Sequence, residues 1–202
     1  MSDPKITAEE VRVLRELTGA GMMDCKRALQ DAGGDLARAQ EILRERGLAA
    51  AGKRAGRSAN EGVIEAYIHP PGKLGVLVEV NSETDFVANT EEFGTLARNV
   101  AMHIAALAPR WISRDDVPED VVLAERKIYA EQARTTGKPE HVLEKIVEGK
   151  LRAFFKQTVL LDQPFIRDDS VSVGDLVARV SAKVGEKIAV RRFARFKLGE
   201  EA

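Results

Sequence analysis

Residues 62–81 read GVIEAYIHPPGKLGVLVEVN. Ile64, Ala66 and Ile68 share one face by alternation, and Leu74, Val76, Val78 and Val80 do the same further on. A period of two is the mark of a strand. Between the runs, His69-Pro70-Pro71-Gly72-Lys73 supplies turn residues. The stretch predicts a β-hairpin over 63–81. It decides the fold class, because most of what surrounds it has helical periodicity. A helix is expected from about Thr90 to Leu107, with Phe93, Leu96, Val100 and Ile104 on its apolar side and Pro109 ending it. Residues 117–136 and 139–158 read as further helix, broken at Gly137-Lys138-Pro139 and kinked at Gly149. Gln163-Pro164-Phe165 reads as loop and Val173–Val180 as helix. The segment KIAVRRFARFKL (187–198) alternates again. It puts Ile188, Val190, Ala194, Phe196 and Leu198 on one face, and Lys187, Ala189, Arg191, Phe193, Arg195 and Lys197 on the other. Helices, hairpin, helices and strand in that order predict an α+β fold, a small antiparallel sheet covered on one side by helices.

The first 47 residues predict three short helices. Thr7 followed by Glu10 is a capping-box pattern that opens the first, with Val11, Leu14 and Leu17 at helical spacing. Gly19 and Gly21 interrupt it. The second runs from about Met22 to Ala32 and stops at Gly33-Gly34. Asp35 caps the third, which carries Leu36, Ala39, Ile42 and Leu43 and ends near Gly47. Leu14, Leu17, Met22 and Leu29 are the expected core of this unit. So small a core suits a docking module better than an enzyme. Residues 48–61 read as a small-residue linker with a basic cluster at Lys53, Arg54 and Arg57.

The chain has 202 residues, 31 basic and 32 acidic, for a formal net charge of -1. That balance speaks against a dedicated nucleic-acid binder. The lone cysteine, Cys25, allows no internal disulfide and fits a reducing compartment. The opening residues, MSDPKITAEE, show neither a signal-peptide nor a transit-peptide pattern, and no apolar run is long enough to span a membrane. A cytosolic protein is expected. Catalytic signatures are missing: no phosphate-binding glycine loop, no dinucleotide fingerprint, and three histidines (His69, His103, His141) in three separate elements without metal-ligand spacing. Cys25 lies mid-helix, where a small apolar role is common. The residues therefore point to a binding protein.

The hairpin leaves its second strand through NSETDFVANTEEF (81–93), which presents Asp85 and Phe86 before the next helix. A phenylalanine left in water forgoes about 1.5–3 kcal/mol of burial. Either the core takes Phe86 back, with Asp85 a plain helix-start residue, or another molecule receives it. Asn89 or Thr90 is placed to cap the helix that follows.

Two stretches carry a resemblance. LRELTGAGMMDCKRAL (14–29) and EVNSETDFVAN (79–89) are similar to the two signature motifs of bacterial elongation factor Ts, the nucleotide-exchange factor of the GTPase elongation factor Tu. MHIAA (102–106) and residues 137–165 also resemble the family, so the likeness covers nearly the whole chain. It implies a ubiquitin-associated-like three-helix domain (1–48), a basic linker (49–61) and a core domain (62–202) for partner binding and dimerisation. It implies no enzyme activity, no cofactor, no metal and no nucleic-acid contact of its own, and a cytoplasmic location. Thr84, Asp85, Phe86 and Val87 match the family's working tip, in which the Phe wedges into the partner and the Asp acts near its magnesium site. Arg15, Asp24, Lys26, Lys53, Arg54 and His103 are further expected contacts. The chain looks like the compact form of the family, whose members are expected to form a homodimer that engages two Tu molecules.

Two other classes fit parts of the sequence. Arg191, Arg192 and Arg195 with Phe193 resemble a basic-aromatic RNA face. The three-helix unit could also serve as a peptide-binding groove of a holdase.

Overall fold

A computed structural model describes residues 6–54, 56–135 and 139–200. Its elements are α1 (Ala8–Thr18), α2 (Met22–Asp31), α3 (Leu36–Arg54), β1 (Glu61–His69), β2 (Leu74–Ser82), α4 (Asp85–Ala88), α5 (Glu91–Leu107), α6 (Glu119–Arg134), α7 (Glu140–Thr158), β3 (Pro164–Phe165), β4 (Asp168–Ser172), α8 (Val173–Val184) and β5 (Ala189–Lys197). The fold is α+β, predominantly helical with a small antiparallel sheet. The larger sheet has the order β1-β2-β5 and the smaller pairs β3 with β4. Packing separates two units. One comprises 1–65, 79–98 and 175–191, the other 66–78, 99–174 and 192–202.

In the first unit, the α1 cap forms as its sequence pattern requires. The Thr7 side chain accepts from the Glu10 amide and the Glu10 carboxylate accepts from the Thr7 amide. Gly19 ends α1 at φ 68°, in the left-handed region. Asp35 accepts from the Arg38 amide at 2.9 Å and starts α3. Val11, Leu14, Cys25, Ala28, Leu29 and Ala39 form the core of the three helices. Leu17 and Met22, expected inside, are instead 56% and 49% exposed. They lie at the α1–α2 corner, beyond the reach of a core this small. The third helix also passes its expected stop at Gly47 and continues to Arg54. Ala49, Ala50 and Ala51 are strong helix formers, and each glycine in the run costs only about 1 kcal/mol. Lys53 and Arg54 thus sit in the last turn of a helix, where the dipole favours cations. Arg44 of α3 lies 3.9 Å from Asp175 of α8.

The hairpin turns at residues 70–73, with the Gly72 amide donating to the His69 carbonyl at 2.7 Å. Val76, Val78 and Val80 of β2 are buried, while Leu77 between them is 48% exposed. Ile64 and Ile68 of β1 are exposed as well, so the shared face read from the sequence exists but looks outward. Ile68 lies over Gly75, where a Cβ would meet its Cδ1 at 2.9 Å. On β5 and the residues that flank it, Ile188 and Val190 are buried, but Ala194, Phe196 and Leu198 are exposed. The expected single apolar face is therefore covered over only part of its length. Arg195 explains the far half: its Nε donates to the Ala105 carbonyl at the end of α5 at 3.3 Å. Side chains alternate across a strand, so Phe196 points away from α5.

In the second unit, α6 and α7 pair through Ala133, Val147 and Leu151, with Tyr129, Leu143 and Phe155 packed against them. The expected break at Gly137-Lys138 lies outside the described residues. Phe154 and Val159 join Val117 in a neighbouring cluster with Trp111. Gln163-Pro164-Phe165, read as loop, contributes β3, paired antiparallel to β4 with Phe165 opposite Asp168. A two-residue strand that opens on proline leaves no periodic signal.

Gly62 is the tightest point of the sheet. Its φ is 144°, and a Cβ there would lie 2.1 Å from the Val80 carbonyl oxygen and 2.7 Å from the Asn81 Cα. We expect Gly62→Ala to lose at least about 2 kcal/mol of stability, read from the urea midpoint. An unchanged midpoint would show that β1 does not approach β2 this closely.

Candidate functional site

The tip is built from the end of β2. Thr84 is extended (φ −129°, ψ 157°) and caps α4, its hydroxyl accepting from the Val87 amide at 3.4 Å. The Ser82 hydroxyl donates to the Thr84 carbonyl at 2.9 Å. Thr90 closes the other end. It donates to the Val87 carbonyl at 2.7 Å and accepts from the Phe93 amide at 3.3 Å, so Thr90, not Asn89, caps α5. In so short a helix the four side chains point four ways. Ala88 is buried at 7% and Val87 is half-buried, while Asp85 is exposed and Phe86 is 83% exposed. The core does not take Phe86 back.

Carboxylates hold the base of this tip. Glu186 accepts from the Thr84 amide at 3.1 Å and from its hydroxyl at 2.7 Å. Glu83 accepts from the Lys187 amide and from the Arg57 guanidinium at 3.2 Å. These bonds, the Lys187 amide first, hold the Glu83 carboxyl below the usual range, and Arg54 adds to the effect. Sequence reasoning missed Glu83 and Glu186. Their only signal was Glu83 beside the tip, since Glu186 meets Thr84 across 102 positions.

The other expected contacts divide. Arg15, Asp24 and Lys26 are exposed on the three-helix unit, and Asp24 pairs with Arg27 at 2.7 Å. Leu17, Met22 and Met23, all exposed, make that surface apolar. Lys53 is exposed and Arg54 is half-buried. His103 is wholly enclosed. Its Nδ1 accepts from the Ile166 amide at 3.3 Å, which leaves Nε2 as the donor to Gln163 Oε1 at 2.9 Å. The ring supports the β3 segment from within and offers no surface. On β5, Arg195 is turned to Ala105 and Glu200, so it is not part of an open basic face. Cys25 is buried, and burial pushes its thiol pKa up, away from reactivity. Among the described residues there is no cluster of metal-ligating side chains and no helix long and apolar enough to cross a membrane.

A family model described as Elongation factor TS matches residues 50–200. An elongation factor Ts of Carboxydothermus hydrogenoformans is 58% identical over 195 residues, covering 96% of this chain and 90% of that one. That of Caldanaerobacter subterraneus is 56% identical, covering 96% and 98%. That of Fervidobacterium nodosum is 53% identical, covering 97% and 100%. The fold and the relatives define a translation elongation factor, a component of protein biosynthesis. The chain belongs to the elongation factor Ts family.

Burial disfavours the imidazolium, so His103 titrates below the 6.5 ordinary for histidine. The unfolded chain takes up a proton near pH 6.5 that the folded chain refuses. The stability it contributes is whole above about pH 6.5 and is lost as pH falls below it. Glu10 and Glu83, with lowered pKa values, act in the same direction but only below their ordinary 4.5. Thermal midpoints measured from pH 7 to pH 5 should therefore fall, and fall less steeply in His103→Gln. An identical slope in the variant would exclude His103 as the source.

Proposed function

We propose that this protein binds elongation factor Tu in its GDP-bound form, disturbs the magnesium and phosphate site, and promotes GDP release so that GTP can bind. The observation that carries the reading is Phe86, 83% exposed on a short, capped helix. Aromatic side chains that enter a partner's pocket dominate many interfaces. A bound magnesium ion keeps ordered waters and bridges phosphate oxygens. Displacing the elements that hold those waters weakens the ion, and the phosphates then lose part of their electrostatic hold. Asp85, exposed beside Phe86, adds a negative charge at the same place. Thr84 and Val87 complete the tip.

The energetics follow linkage. If the factor and GDP lower each other's affinity, each tenfold corresponds to about 1.4 kcal/mol of coupling. Burial of one Phe supplies about 1.5–3 kcal/mol. Acceleration by several powers of ten needs more, so other contacts contribute. The exposed corner of the three-helix unit suits that role: Leu17, Met22 and Met23 are apolar, and Arg15, Asp24 and Lys26 stand around them. The domain assignment proposed with this is a ubiquitin-associated-like unit over 1–48, a basic connection over 49–61 that begins with the last turns of α3 and carries Lys53 and Arg54, and a core over 62–202. His103, enclosed in the core, acts by supporting structure rather than by touching the partner. The factor makes and breaks no covalent bond, works in the cytoplasm, and needs no cofactor.

The bare side of the sheet supports the homodimer. Ile68, Leu77, Phe196 and Leu198 are 63%, 48%, 70% and 77% exposed. A contiguous apolar face of this kind marks an interaction site. A second copy brings the same apolar surface, and two sheets can stack face to face through a two-fold axis. Such a dimer engages two molecules of elongation factor Tu.

Release of fluorescent GDP from elongation factor Tu tests the tip. The native chain should accelerate release strongly, and Phe86→Ala should lose about ten- to a hundredfold of that acceleration, with a smaller loss in Asp85→Ala. Full activity in Phe86→Ala would remove the wedge. Sedimentation tests the dimer: the native chain should run as two copies and Phe196→Asp as one.

A further inference from the structure

The loop that carries Phe86 and the turn between α8 and β5 hold each other by exchanged carboxylates. Glu186 reaches from the turn to the Thr84 amide (3.1 Å) and hydroxyl (2.7 Å). Glu83 reaches back from the loop to the Lys187 amide. The turn is itself braced, since the Ser181 hydroxyl donates to the Glu186 carbonyl and Gly185 takes φ 79°. A third strand of chain joins in: Arg57 pairs with Glu83 at 3.2 Å, and Lys187 Nζ donates to the Arg57 carbonyl at 2.8 Å. Glu83 is mostly shielded, with its side chain 22% exposed.

The bond from the Thr84 hydroxyl matters most for the tip. By donating its proton to Glu186, the hydroxyl keeps its oxygen lone pair directed at the Val87 amide, the cap of α4. A four-residue helix has almost no stability of its own, because nucleation consumes most of what its bonds return. Its order must come from outside. Hydrogen bonds to a charged acceptor are about twice as strong as neutral ones, and a carboxylate can receive both Thr84 donors at once.

We propose that Glu186 and Glu83 are positioning residues for nucleotide exchange, whose exchanged bonds pre-order Thr84 and α4 so that Phe86 meets the partner already aimed. This rests on the reading of Phe86 as the exchange wedge. Ordering completed in the free protein need not be supplied at the moment of engagement. The clamp acts through Thr84 and α4, and neither glutamate touches the partner in this account.

The test uses the full chain with Glu186→Ala and Glu186→Gln. Hydrogen–deuterium exchange of the free protein reads the clamp alone. The amides of Thr84 and Val87 should exchange about tenfold faster in Glu186→Ala and by an intermediate amount in Glu186→Gln, which keeps one acceptor oxygen. Fluorescent-GDP release from elongation factor Tu reads the consequence. The maximal rate at saturating factor should fall about tenfold in Glu186→Ala, with partial recovery in Glu186→Gln and a half-saturating concentration within about twofold of native. Native amide protection in Glu186→Ala overturns the clamp, as does a native maximal rate in a variant whose tip amides exchange faster. A native chain that fails to accelerate release overturns the exchange reading and with it the positioning role, while the amide data still show whether the glutamates order the tip.

Discussion

β2 is the central strand of the larger sheet, and the burial of Val76, Val78 and Val80 on one side of it constrains much that follows. A strand has a period of two, so a slip of one residue would move those valines into water. With their side determined, Leu77 must face the other way, and the exit at Ser82 must release the chain toward Thr84. Gly62 allows β1 to approach that same end of β2 more closely than any side chain would permit. The segment 84–87 is therefore an extension of the central strand of the sheet.

Phe86 and the sheet face with Phe196 both run against ordinary burial, and they have different characters. Phe86 stands exposed on a helix of four residues, beside the exposed Asp85 and above a set of hydrogen bonds. Such an isolated ring has the form proposed for entering a partner's pocket. The sheet face instead exposes four large apolar side chains, Ile68, Leu77, Phe196 and Leu198. Charge plays a supporting part in both places. Glu83 and Glu186 accept hydrogen bonds at the base of the tip, and Arg195 bonds to the Ala105 carbonyl and to Glu200.

Much of the fold was legible along the chain. Thr7 with Glu10, Asp35 as a cap, the turn at residues 70–73 and the alternation of β2 depend on partners a few positions away, and each formed as read. The α3 end was misplaced because glycine was weighted over the alanines beside it. The β3 strand was missed because two residues cannot show a period. Leu17 and Met22 were expected in the core and are exposed, and Phe196 and Leu198 are exposed although they share an apolar face with buried residues, because what covers a face is not written in its own periodicity.

The candidate site divides along the same line. The local sequence determined that the second strand of the hairpin ends near Asn81, that Asp85 can stand at a helix start, and that Thr90 can cap the helix that follows, because backbone and capping preferences act over one or two turns. Only the tertiary structure decided that the Phe86 ring stays outside, that His103 is sealed within, and that Glu83 and Glu186 exchange bonds across about a hundred residues. Burial and long-range pairing depend on which distant surfaces arrive together, and that is a property of the packed whole rather than of any stretch of the chain.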